Sequence, residues 1–249
     1  MPLDYLRSFT GPERSAETNR RLGRWLAFVA GATNAGGFLA VGQYTSHMSG
    51  VVSSIADQLM LGRFDAVAAA LLSLFAFLSG AACSAILINW GRRRRAQSAF
   101  ALPLMVEAGL LLAFGVLGPM AQARISLPAA LLGTIALLCY VMGLQNAMIT
   151  KISKAEIRTT HVTGLVTDIG IELGKLLYRN DPAVGMPPVH ADRRRLRLLA
   201  SLLAMFLAGG VAGAFGFAHL GFVATLPLAA ILLLLAAVPV FDDLGHRRV

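Results

Sequence analysis

The chain has 249 residues, 56% of them hydrophobic and only 14% charged, with a formal net charge of +9. A soluble domain carries about 25% charged residues because its surface faces water, so the composition excludes an ordinary soluble fold and makes lipid the solvent around most of the surface. The pI near 10.5 does not call for nucleic acid: the Lys and Arg residues flank apolar segments, with no aromatic platform among them, as a positive-inside bias requires.

Residues 1–21 are polar, so no cleavable signal peptide is expected and the first apolar segment drives insertion. Six stretches reach the roughly 20 residues a helix needs to cross hydrocarbon: 22–41, 64–90, 100–117, 127–148, 198–217 and 222–240. Two further segments, 48–61 and 161–177, are helical in pattern but short and polar. If 48–61 crossed, the arginines at 92–95 would lie outside. If it enters and returns on one side, and 161–177 does likewise, every one of the 22 Lys and Arg residues except Arg63 and Arg124 falls on the cytoplasmic side or in the segment that opens to it. The expected fold is therefore all-α, six transmembrane helices plus two re-entrant half-helices. Cytoplasmic tails at 1–21 and 241–249 flank membrane repeats at 22–118 and 127–240. Cys83 and Cys139 lie inside apolar runs and read as packing residues rather than a disulfide or metal pair.

The halves repeat. Thr45-Ser46-His47-Met48-Ser49-Gly50-Val51-Val52-Ser53 matches Thr159-Thr160-His161-Val162-Thr163-Gly164-Leu165-Val166-Thr167 in residue type at all nine positions. Gly31, Asn34 and Ala35 precede the first motif as Gly143, Asn146 and Ala147 precede the second. Phe77, Leu78 and Gly80 are answered by Phe206, Leu207 and Gly209, and Pro103 by Pro227. Three crossings per half is an odd number, so the second half is inverted, an architecture that places polar broken helices at a midplane site.

From each histidine, positions +7 and +11 share its helical face. The stripe is His47, Ser54, Gln58 in the first half and His161, Asp168, Glu172 in the second, with Asp57 one position off. A small polar solute is expected to meet His47, Ser49, Gly50, Ser54, Gln58, His161, Thr163, Gly164, Asn34 and Asn146. Ion or proton coupling falls to Asp168, Glu172, Asp57 and the isolated Glu107, because intramembrane acids are costly unless they serve function. Two carboxylates on the 168/172 face repel unless one is protonated or Lys175 compensates. Thr45, Thr159, Ser49 and Thr163 are expected as helix N-caps. Gly50 and Gly164 are expected to admit another backbone. Gly209 with Gly213, and Gly80 with Ser84, are small-residue pairs for contacts within the fold, with homodimerisation the alternative. Residues 181–192 read as a linker. No catalytic or metal-binding signature occurs, so no enzyme, cofactor or metal is expected.

These residues, Gly31 to Ala35 with Phe38, Thr45 to Gly50, Phe77 to Gly80, and Gly143 to Ala147 with Thr159 to Gly164, resemble the YoaK family of small bacterial membrane proteins over most of 20–240. The resemblance implies a six-span inner-membrane protein and no substrate. Many relatives carry Asn where this chain has Val51, so no polar role is expected there. The expected function is a secondary transporter or facilitator with both termini cytoplasmic. The alternatives are a selective channel and an intramembrane enzyme or assembly factor.

Overall fold

The computed structural model describes residues 9–11, 14–94, 96–123, 128–181 and 186–246. Arg95, Arg124, Pro182, Arg247 and Arg248 lie outside them. The described residues are helical, without strands: α1 (Ala16–Val41), α2 (Met48–Met60), α3 (Phe64–Arg93), α4 (Ala101–Ala123), α5 (Pro128–Ile152), α6 (Val162–Leu177), α7 (Arg193–Leu220), a 3-10 turn (Gly221–Ala224) and α8 (Thr225–His246).

Each helix sits where its apolar run placed it, with ends set by local chemistry. Ser15 caps α1 by accepting from Thr18 N–H, and Gly42 closes it at φ 72°, a left-handed conformation that costs glycine little. Gly221, at φ 58°, separates α7 from the turn before α8. Pro103 and Pro227 each stand third in their helices, within the first turn, where a missing N–H is harmless. The N-terminal segment is less detached than a tail: Phe9 and Thr10 are buried, and the Thr10 hydroxyl donates to Leu235 O at 3.0 Å.

By length and composition, four stretches of the described residues suit a membrane crossing: Phe64–Arg93, Ala101–Pro119, Ala129–Ile152 and Arg193–Asp243, the last containing both α7 and α8. Helix α1 is absent from that set because Arg20, Arg21, Arg24, Thr33, Asn34 and its glycines dilute its apolar content, although its 26 residues rise roughly 39 Å. Helices α2 and α6, with 13 and 16 residues, rise only about 20 and 24 Å. Outward faces of α3 and α7 expose Leu71, Phe75, Leu78, Leu207, Val211 and Phe215, a surface suited to lipid chains.

Packing joins the two halves crosswise. Helix α7 lies on α1, and α3 lies on α5. A Cβ on Gly31 would collide with the carbonyl oxygen of Phe206, and a Cβ on Gly143 with that of Phe77, its repeat counterpart. Gly209 meets Phe28 O as Gly80 meets Tyr140 O, again matched positions. Gly213 rests on Ala32, and its counterpart Ser84 is fully buried. The small-residue pairs thus serve contacts within the fold, letting backbones touch where lipid supplies no hydrophobic drive.

Contact order gives helix direction. Gly23, Gly31 and Gly36 of α1 meet Leu202, Phe206 and Phe217 of α7 in the same sequence, so the two run parallel. Helices α3 and α5 are parallel too: Phe77 and Gly80 lie level with residues 140–144, and farther along both helices Asn89 accepts from Lys151 Nζ at 2.7 Å. Helices α4 and α8 are antiparallel, with Gly118 on Phe222, Gly115 on Thr225, and Ser98 bonded to Asp243 at the other end.

Replacing Gly143 by Val should destabilise the protein by about 1–3 kcal/mol or more, since backbone must move. Gly109→Ala, in helical backbone with open space around it, should be neutral to slightly stabilising. Thermal unfolding in detergent compares the two; equal melting temperatures would contradict the close-contact account.

Candidate functional site

Both half-helices begin at histidine. His47 (φ −93°, ψ 68°) and His161 (φ −82°, ψ 59°) occupy the N-cap positions of α2 and α6 with nearly equal backbone geometry, and no side chain caps either helix. The expected Thr and Ser caps are therefore corrected. Thr45 and Thr159 are fully buried two residues upstream. The Ser49 hydroxyl lies 3.2 Å from His47 Nε2, and Thr163 instead supplies its carbonyl to the Thr167 hydroxyl. Among the described residues, neither histidine's side chain accepts from a first-turn N–H.

Gly50 and Gly164 also act differently from expectation. A Cβ at either would overlap the ring of the histidine three residues earlier, His47 or His161. It is the helix's own imidazole, not another backbone, that needs the space.

A repeated hydrogen-bond rung fixes the chain ahead of each histidine. Asn34 Oδ1 accepts from Ser46 N–H at 3.2 Å and from its hydroxyl at 2.9 Å; Asn146 Oδ1 accepts from the Thr160 hydroxyl at 2.8 Å. A second rung exists only in the second half. The Thr159 hydroxyl donates to Gln145 Oε1 at 3.4 Å, and Gln145 Nε2 donates to Glu107 Oε1 at 2.7 Å. The positions answering Gln145 and Thr159 are Thr33 and Thr45, whose buried hydroxyls find no partner among the described residues. Glu107 is completely buried and its Oε2 has no partner among them either.

Three cavities adjoin this frame. The central one, about 850 Å³, is lined in matched pairs: Asn34 with Asn146, Ser46 with Thr160, His47 with His161, Met48 with Val162, Ser49 with Thr163, and Phe77 with Phe206. Tyr44, Thr150 and Arg158 complete it. A cavity of about 540 Å³ on the α6 side shares Arg158 and His161 with the centre and adds Gly164, Leu165 and Asp168. One of about 440 Å³ on the α2 side shares Tyr44 and His47 with it and adds Gly50, Val51, Ser54 and Gln58. The flanking cavities are therefore also lined by matched residues, and each histidine stands between one of them and the centre.

The structure gathers the solute-site residues around these spaces, and of the four predicted acids only Asp168 lines one of them, the α6-side cavity. Asp168 pairs with Arg195 at 2.9 Å. Glu172 is buried beneath Lys175, at 2.8 Å, and accepts from Asp192 N–H at 2.8 Å. Both charges thus have cationic partners, which removes the repulsion expected between them, and neither acid lines the central cavity. Asp57 is exposed and Glu107 is sealed inside; neither lines any of the three. Asp192 caps α7 by accepting from Arg195 and Arg194 N–H, which holds its carboxyl below the ordinary range.

Tyr44, Ser46, Thr150, Arg158, Thr160 and Gln145 were missed from sequence. Ser46 and Thr160 stood inside the quoted motif. Arg158 was counted only as a flanking charge, yet repeat alignment places it opposite Tyr44, three residues before the histidine in each half.

An all-helical membrane protein, with a partly polar cavity lined by residues from both halves of the chain, is the class that fold and site define. The model of a family described as "Protein of unknown function (DUF1275)" matches residues 22–238, and the chain belongs to that family. The YoaK-like resemblance is consistent with it. No curated protein and no solved structure matches the chain.

The rungs make a local prediction. Asn146→Leu should leave Thr160 without its acceptor, cost about 1–3 kcal/mol, and raise hydrogen exchange in residues 153–161. Asn34→Leu should do the same at 42–47. Exchange mass spectrometry showing either effect spread evenly over the protein would contradict the rung assignment.

Proposed function

We propose that the protein is an inner-membrane carrier for a small polar solute, built from two inverted triplets of spanning helices and two re-entrant half-helices. The observation that carries the reading is the central cavity lined by matched pairs from both halves, with His47 and His161 each leading to a further cavity. Mirrored routes from opposite sides to one polar centre are what alternating access needs.

Helix direction supports the membrane arrangement. If α6 were a full crossing, α4 and α8 would be four crossings apart and parallel, whereas they are antiparallel. With α6 re-entrant, the parallel pairing of α1 with α7 then requires α2 to be re-entrant as well. Both termini and the arginines after α3 then share one side, which the distribution of Lys and Arg makes cytoplasmic.

Transport rather than catalysis is proposed, with no cofactor or metal. For a coupling proton we assign Glu107: it is buried, bonded among the described residues only to neutral Gln145, and tied through Gln145 and Thr159 to the motif around the cavity. Asp168 and Glu172 hold fixed cations instead.

A channel is the second reading, favoured by one observation: the three cavities share lining residues in series. Stopped-flow light scattering on proteoliposomes, challenged with gradients of small polar solutes, separates the two. The carrier reading predicts saturable entry of at least one solute. Asn34→Leu or His161→Phe should reduce it by about tenfold or more, the scale of losing a hydrogen-bonding group from a polar site. Non-saturating entry would favour the channel; permeability equal to protein-free vesicles for every solute would overturn both. Glu107→Gln should flatten the pH dependence of flux while flux itself persists, and an unchanged pH profile would remove Glu107 from coupling.

A further inference from the structure

We propose that the transported solute is an anion, small and bearing a carboxylate- or phosphate-like oxyanion, recognised by Arg158 at the junction of the central and α6-side cavities. The inference rests on the transport reading and names its substrate class.

The first observation is charge. Of the residues lining the central cavity, Arg158 alone carries a formal charge when the histidines are neutral. Every acid near it is engaged: Glu156 pairs with Arg20 at 2.8 Å, Asp168 with Arg195 at 2.9 Å, and Asp192 caps α7. No carboxylate among the described residues pairs with Arg158 itself. A guanidinium stays ionised at any physiological pH and presents a planar fork of donors matched to two oxygens of one anion. Exposed where the two cavities meet, this cation favours the approach of anions over cations.

The second observation is asymmetry. Apart from Thr150, the rest of the lining falls in matched pairs, but opposite Arg158 stands Tyr44, stacked on Phe38 with ring centroids 4.5 Å apart. Duplication by itself requires a cation in neither half or in both. The repeat has a basic junction on one side and an aromatic one on the other, so the anion is bound at the α6 side.

The third observation is the local backbone. Lys154 and Ala155 have φ of 52° and 66°, left-handed values that non-glycine residues rarely adopt. That turn leads the chain from the end of α5 to Arg158. Ser153 and Ile157 lock it through reciprocal hydrogen bonds at 3.0 and 3.3 Å. The neighbouring donors, the Thr163 hydroxyl and the uncapped start of α6, suit the same anion.

The test uses thiol reagents of opposite charge, so it does not require the solute to be known. With Cys83→Ala and Cys139→Ala as background, Thr163→Cys places one thiol on the cavity wall, and Ser49→Cys serves as a second position should the first misfold. Modification is timed with a sulfonate-bearing and a trimethylammonium-bearing methanethiosulfonate, each rate normalised to its reaction with free 2-mercaptoethanol. The normalised rate with the sulfonate should exceed that with the cation by about tenfold, the lower end of electrostatic focusing in a cleft. Arg158→Lys should keep the preference, Arg158→Gln should bring the ratio near unity, and Arg158→Glu should invert it.

Equal rates, or a preference that survives Arg158→Gln, would overturn the anion assignment while leaving the cavity and the carrier reading intact. If neither reagent reaches either cysteine, the carrier reading fails as well. The same measurement in nanodiscs with and without phosphatidylglycerol separates a free anion from a lipid phosphate. A preference abolished by the anionic lipid means that a headgroup fills the site, which would overturn the soluble-anion claim.

Discussion

Backbone-to-backbone contact at four glycines sets the rest of the structure. In lipid, apolar side chains gain little by leaving solvent, so helices associate where small residues let main chains approach. Gly31 and Gly209 seat α1 on α7, and Gly80 and Gly143 seat α3 on α5. Each contact joins one half of the chain to the other. Neither half is thus a folding unit with its own core, because the long helices of each are seated on long helices of the other. The half-helices pack on α3 and α7, so their starts are carried to the centre by the same four contacts.

The symmetry makes the departures from it informative. Duplicated positions carry the scaffold: Asn34 and Asn146, His47 and His161, Gly50 and Gly164. Unmatched positions carry the chemical individuality of this chain: Arg158 against Tyr44, Gln145 with Glu107 against Thr33 with Ile231, and Asp168 against Ser54. A frame with one basic junction and one buried acid distinguishes its two halves chemically.

Much of this was legible in the sequence because membrane helices announce themselves by length and the repeat by residue type. All the long helices, both half-helices and the matched motifs lie where the apolar runs and the Thr-[Ser/Thr]-His pattern placed them. The internal use of Gly209 and Gly213 was readable from their recurrence at Gly80 and Ser84. What escaped was tertiary. That Glu172 would be covered by Lys175 and the Asp192 backbone depends on the loop before α7, and that Asp168 would meet Arg195 depends on the packing of α6 against α7. Helical periodicity put the two acids on one face but carried no information about what that face meets. Gly50 and Gly164 were misread for a related reason: the imidazole that needs their space folds back along its own helix, which spacing alone does not disclose. Arg158 was hidden by its likeness to ordinary flanking charge, and only comparison of the halves separates it from that background.

Inversion of the two halves is the claim on which the cavity, its two routes and the substrate argument all depend, and sided labelling tests it most directly. Arg63 follows α2 and Tyr178 follows α6, both exposed, so in the proposed arrangement each marks where its short helix would leave the bilayer. With Cys83→Ala and Cys139→Ala as background, Arg63→Cys and Tyr178→Cys would be treated separately with a membrane-impermeant maleimide, in intact spheroplasts and in inverted vesicles. The account predicts that residue 63 is labelled in spheroplasts alone and residue 178 in inverted vesicles alone. Labelling of both from the same face would contradict it.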